Sequence, residues 1–175
     1  MNKKEKTMNQ KTMNLIKKFS KKLSKLEDGR IDYSKSSIAP VLTCVVKYKS
    51  EILLLKRSDK VGTYKGKWQV VAGYLDELKP LRKKVLGELE EELKISEKMI
   101  RKIFYGKLFS IRDKKINRTW IVHPVLAELK QKPKINLSGE HTEYKWIFPE
   151  EIKKYDTVPN LKKSLKAVLS MQALS

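Results

Sequence analysis

Residues 79–94 constrain the fold of this chain more than any other stretch, because they read as a helix with two faces that cannot share one environment. At about 100° per residue, and with Glu88 taken as zero, Glu91 falls near −60° and Glu92 near +40°, so three carboxylates share one side. Val85, Leu86, Leu89 and Leu93 fall roughly between 60° and 160° and form an apolar stripe. The stripe must be buried against another layer while the acids stay open to a counter-ion. Like charges at this spacing repel and weaken a helix. A divalent cation among them would offset that repulsion, and an all-oxygen donor set suits Mg²⁺, Mn²⁺ or Ca²⁺ rather than zinc. Acidic helix faces are also common as solvated surface, and the pattern alone fits both. The setting favours the first: four of the chain's 20 acids fall within five residues, in a protein with 40 basic ones.

The flanking segments read as strands. Ile38–Tyr48 is apolar and β-branched, Lys49-Ser50 reads as a tight turn, and 51–56 as the return strand. Residues 61–67 carry Gly62 and Gly66 and read as a loop, and 68–72 as a short buried strand ending at Gly73. Pro80 sits in the first turn of the helix, where its missing N–H leaves no bond unmade. Residues 103–112 and 117–129 read as two long strands around a turn, and 142–148 as another. A short helix begins at Pro149. Pro159 opens a last amphipathic helix with Leu161, Leu165, Val168 and Leu169 on one side. Strands of hairpin and crossover type with two main helices predict an α/β sandwich around a mixed sheet.

Residues 1–36 differ from the rest, with 11 Lys or Arg against four acids. Thr12, Leu15, Ile16, Phe19, Leu23 and Leu26 keep helical spacing, so 9–27 reads as an amphipathic basic helix. It is expected to pack on the domain or stay loosely ordered, with RNA or membrane-surface binding as the alternative. The division is a basic extension over 1–36 and a folded domain over 37–175, and a chain beginning near Ser36 is expected to fold without the extension. The net charge of +20 predicts attraction to phosphates, on nucleotides, RNA or an anionic surface. Cys44 is the only cysteine, which excludes an internal disulfide and a cysteine-built zinc site. No apolar run reaches the roughly 18 residues that span a bilayer, and no signal-peptide apolar stretch opens the chain, so a cytoplasmic setting is expected.

Gly73 and the E-x-x-E-E helix together resemble the signature of the Nudix hydrolase family, G-x5-E-x7-R-E-U-x-E-E-x-G-U, where U is a bulky aliphatic. Gly73 matches the first glycine, and Glu88, Leu89, Glu91, Glu92 and Ile95 match E, U, E, E and the final U. Residues 51–58 are similar to the strand and arginine that precede this box, 66–73 to its G-x-W-x-x-P-G-G approach, and 143–152 to the family's late strand and short helix. The likeness covers about residues 37–170. Three positions depart: Lys79 replaces the first glutamate, Gly87 the arginine and Lys94 the second glycine. Lys84, one turn before Glu88, stands where it can replace part of the arginine's charge.

The resemblance implies a Nudix-type α/β/α sandwich with a mixed sheet. It further implies a Mg²⁺- or Mn²⁺-dependent pyrophosphohydrolase that cleaves a diphosphate linkage in a nucleoside diphosphate derivative. Glu88, Glu91 and Glu92 would hold the metal. Glu88 or Glu91 inside the box, or Glu140 or Glu143 outside it, would act as base. Arg57 and Lys67 are expected to bind substrate phosphates, with Gly73 and Tyr74 also against the substrate. Trp68 is expected in the core, His123 in a structural role, and His141 is a candidate proton carrier. A nucleotide- or RNA-binding module of weak catalysis is the alternative function. RNA and a homodimer are the further partners considered.

Overall fold

A computed structural model describes residues 3–172, with side chains described over 10–170. Eight strands form one mixed sheet: β1 (Ile38–Tyr48), β2 (Glu51–Arg57), β3 (Trp68–Gln69), β4 (Val71–Tyr74), β5 (Ile100–Tyr105), β6 (Phe109–Asp113), β7 (Arg118–Leu129) and β8 (His141–Ile147). Three α-helices join them: α1 (Lys3–Ser20), α2 (Leu81–Leu93) and α3 (Leu161–Gln172). A parallel pair, β1 and β7, runs from Ile38↔Thr119 to Lys47↔Glu128 through the middle of the sheet. Every other strand pairs antiparallel, β8 on β2 and β4 on β1 among them.

Alternation along the strands divides the core into two. Leu53 and Leu55 face one side of the sheet with Leu42 and Cys44, where Val85, Leu89 and Leu93 of α2 close the layer. Ile52 and Leu54 face the other side, under Leu161, Leu165 and Val168 of α3. The apolar stripe of the acidic helix is thus the buried one, and the sandwich is of the α/β/α kind expected. Trp68 packs edge-on against Tyr155 within the second layer, as a core residue.

Two expected strands are broken, each for a visible reason. The 103–112 strand divides at Gly106, opposite Pro124 of β7. Gly106 N–H donates to the Pro124 carbonyl at 2.8 Å, but proline has no N–H to return, so the ladder stops and restarts as β6. The 68–72 strand divides at Val70, where the chain leaves the β2 edge and joins β1.

Helix α1 starts earlier and ends sooner than the expected 9–27. Ile16, Ile31 and Tyr33 nonetheless lie in the same apolar cluster as α2, with Phe19 and Leu23 packed against it. The expectation that a chain starting near Ser36 folds alone therefore meets a core that this segment helps to build.

Lys94 ends α2 in the left-handed conformation, at φ 57°, and its N–H bonds back to the Glu90 carbonyl. That is the backbone for which glycine is the ordinary C-terminal residue. Lys94→Gly is expected to raise stability by about 0.5–1 kcal/mol, read as a shift of the denaturant midpoint at unchanged slope.

Candidate active site

A cavity of about 610 Å³ opens between the Lys84–Glu88–Glu91 face of α2, the β1–β4 pair, the 60–64 loop and the start of α3. Glu88 and Glu91 line it from the helix, and Arg57, Gly73 and Tyr74 line it from the sheet. Tyr64 ties the loop to β6 by donating its hydroxyl hydrogen to the Asp113 carboxylate, and both residues line the cavity. Tyr74 stacks on Tyr33 with ring centres 5.6 Å apart and lies 6.1 Å from the Trp120 ring, so one wall is aromatic.

The carboxylates are held unequally. Glu91 is exposed, while Glu88 and Glu92 are buried. A Cβ built on Gly73 would stand 2.2 Å from Glu88 Oε1, so the glycine of the box is the cushion against which Glu88 lies. Lys84 Nζ sits 2.9 Å from the same oxygen and 3.0 Å from Asp76 Oδ1. Burial works against the charge on Lys84, but Glu88 and Asp76 outweigh it and raise its pKa above the ordinary lysine value. Burial, then the charges of Glu88 and Glu140, push Glu92 well above the usual carboxylate range. Its Oε2 is enclosed and has no hydrogen-bond partner.

A chain of side chains reaches Glu92 from behind. Arg57 donates from Nε to the Thr63 carbonyl at 2.9 Å and from Nη1 to Gln69 Oε1 at 2.5 Å. That fixes the Gln69 amide so that its Nε2 donates to His141 Nε2, 2.9 Å away. The proton of the neutral imidazole is then on Nδ1, which faces Glu92 Oε2 at 3.7 Å. Burial, and after it the Arg57 charge, lowers the His141 pKa to about 4, so the ring is neutral near pH 7. His141 opens β8, one residue ahead of the expected 142–148 strand, and this neutral ring is a poor proton carrier at that pH. His123 is enclosed in β7, its pKa also lowered to about 4 by burial.

The structure brings Glu88, Glu91, Arg57, Gly73 and Tyr74 to one cavity, with Glu92 behind its wall. Lys67 is turned to Asp156 at 2.5 Å, and Glu143 is exposed and paired with Lys56 at 2.6 Å; neither lines the cavity. Glu140, the neighbouring acid weighed with Glu143, does line it. Sequence reading missed Trp120, Asp76 and Arg30 as cavity residues. Trp120 carried a faint signal as an aromatic in a long strand; the other two sit in irregular segments without periodicity.

Among the described residues, no three carboxylate, imidazole or thiol groups converge on one point as they stand. The donor set nonetheless fits a hard divalent cation. It is made of carboxylate oxygens, and one of them, Glu92 Oε2, is buried without a partner.

The family model for the NUDIX domain matches residues 39–168, and the chain belongs to that family. A Caenorhabditis elegans Ap4A hydrolase in binary complex superposes with a TM-score of 0.62 at 19% identity, covering 78% of this chain and 99% of that one. The NUDIX domain of Shewanella oneidensis NrtR, complexed with ADP ribose, gives 0.64 at 15% identity, covering 80% and 90%. The Escherichia coli dihydroneopterin triphosphate pyrophosphohydrolase gives 0.57 at 17%, covering 75% and 95%. At these identities the likeness is one of fold. No curated protein sequence matches the chain.

Proposed function

We propose that this protein is a divalent-metal-dependent hydrolase that cleaves a diphosphate linkage in a nucleoside diphosphate derivative. The observation that carries the reading is the cavity itself. Two box carboxylates, Glu88 and Glu91, stand in one wall and the Arg57 cation in another, within a volume suited to a nucleotide-sized ligand. Glu88 and Glu91 would hold Mg²⁺ or Mn²⁺, and Glu92 would join them once its carboxylate turns from His141 toward the cavity. When bound, the cation draws charge from the phosphoryl oxygens and makes a coordinated water more acidic. Arg57 meets substrate phosphate with a planar guanidinium that stays charged despite its burial. Tyr74 and Trp120 offer ring faces to a base. Glu88, Glu91 or Glu140 takes the proton of the attacking water; Glu143 would first have to leave Lys56.

A second reading, a nucleotide- or RNA-binding module without turnover, is favoured by one feature. Lys84 already neutralises Glu88, so the site tolerates the absence of a metal. Product analysis with Mg²⁺ decides between them, over nucleoside diphosphate sugars, ADP-ribose, dinucleoside polyphosphates, nucleoside triphosphates and capped RNA. Hydrolysis of one class, lost in Glu88→Gln, is the expected result. Saturable binding with no product from any of them favours the module.

A further inference from the structure

We infer that Asp76 and Lys84 form the brace that sets Glu88, one helical turn from positions 79 and 87, where the box pattern carries its own acid and base. The two pairs have the same build. Asp76 and Lys84 are eight residues apart, as are positions 79 and 87, with the acid in the loop and the base on the helix. Moving both partners by three residues displaces the pair by about one turn and keeps the cation on the same side of α2.

At the box positions themselves no pair forms. Lys79 is bonded to Glu77 at 2.7 Å in solvent, and Gly87 has no side chain, with nothing within 4 Å of where a Cβ would stand. The Asp76–Lys84 pair is by contrast enclosed, with side-chain exposures of 7% and 13%. Its ammonium also reaches Glu88 Oε1, so the direction of that carboxylate follows the position of Lys84.

Asp76 is anchored in turn by the segment that precedes the matched domain. Arg30 Nη1 lies 3.6 Å from Asp76 Oδ2, and Ile31 N–H donates to the Asp76 carbonyl at 2.9 Å. The Tyr33 hydroxyl donates to the neighbouring Leu75 carbonyl at 3.0 Å. The loop carboxylate is fixed from one side by residues 30–33, and Lys84 passes its position on to Glu88. Asp76 and Lys84 are positioning residues, and the N-terminal segment is through them a part of the site. The functional half of this inference rests on the hydrolase reading above; the structural half does not.

The test is a transplant in the full-length chain without added metal. Thermal midpoints are compared for the natural protein, Lys84→Met, the pair Lys79→Glu with Gly87→Arg, and the combination of all three. Breaking a mostly buried pair should lower the midpoint of Lys84→Met by about 5–15 °C. Adding the box pair should restore at least half of that loss, yet raise the natural protein by no more than about 3 °C. Lys84→Arg, whose fork reaches both carboxylates, should hold the natural midpoint more nearly than Lys84→Met. An unchanged midpoint in Lys84→Met overturns the inference, as does a box pair that raises both backgrounds equally. If Lys84→Met does not fold, Asp76→Asn takes its place in the same cycle.

Turnover supplies the readout that mere stiffening would not move. The kcat of folded Lys84→Met should fall about 10-fold or more and recover with the transplanted pair, with KM changing less. A kcat that stays low after the midpoint has recovered overturns the positioning role. Absence of turnover in every variant, the natural protein included, counts against the hydrolase reading, and the thermal cycle alone then decides whether the brace exists.

Discussion

Removal of residues 1–36 is expected to leave a chain that does not fold at 25 °C. The segment supplies Ile16, Ile31 and Tyr33 to the α2 face of the core, each no more than 3% exposed. Fully burying side chains of this size contributes about 1.5–3 kcal/mol apiece, so the loss of the three amounts to roughly 4.5–9 kcal/mol before any hydrogen bond is counted. Domains of this size are stable by about 5–15 kcal/mol in all. The cut also takes away the Ile31 N–H and Tyr33 hydroxyl that hold the loop carbonyls of Asp76 and Leu75. Circular dichroism with a denaturant titration reads the outcome. A cooperative transition at the natural midpoint in the shortened protein would mean that the extension packs without contributing.

Gly73→Ala is expected to fold and to lose function. The new Cβ would meet the Glu88 carboxyl group, with Oε1 at 2.2 Å, Cδ at 2.5 Å and Oε2 at 2.9 Å. The backbone of β4 is pinned by its register with β1, Gly73 opposite Leu42, so the strand cannot retreat. The glutamate must turn, and Lys84 with it. A displacement of about 1 Å in a catalytic group costs on the order of 10²-fold in rate. Steady-state kcat/KM beside a thermal midpoint separates the effects. The first is expected to collapse and the second to move by only a few degrees. Equal turnover in the alanine variant would show that the position of Glu88 does not matter.

Where a residue's partners lie close along the chain, its role was legible from the order of amino acids alone. The acid trio and the apolar stripe of α2 follow from helical spacing, and the two faces of β2 from alternation. Lys84 was legible as a cation beside Glu88 because four residues is one turn. Residues whose partners lie far away were not. Asp76 gains its meaning from Arg30 and Ile31, more than 40 residues earlier. The tautomer of His141 is set by Arg57 through Gln69, across two strands. Glu143 and Glu140 looked alike as candidate bases. The register that puts Glu143 beside Lys56 on the exposed face exists only once β8 pairs with β2. The break at Gly106 likewise needs Pro124, which becomes its neighbour only when β7 folds back along it.

The central claim is that Glu88, Glu91 and Glu92 share one divalent cation. Isothermal titration of Mg²⁺ and of Mn²⁺ into the full-length protein tests it most directly, with Glu92→Gln and the triple glutamine variant beside it. Saturable binding at millimolar affinity or tighter is expected, greatly weakened in Glu92→Gln and absent in the triple variant. The same affinity in the triple variant as in the natural protein would contradict it.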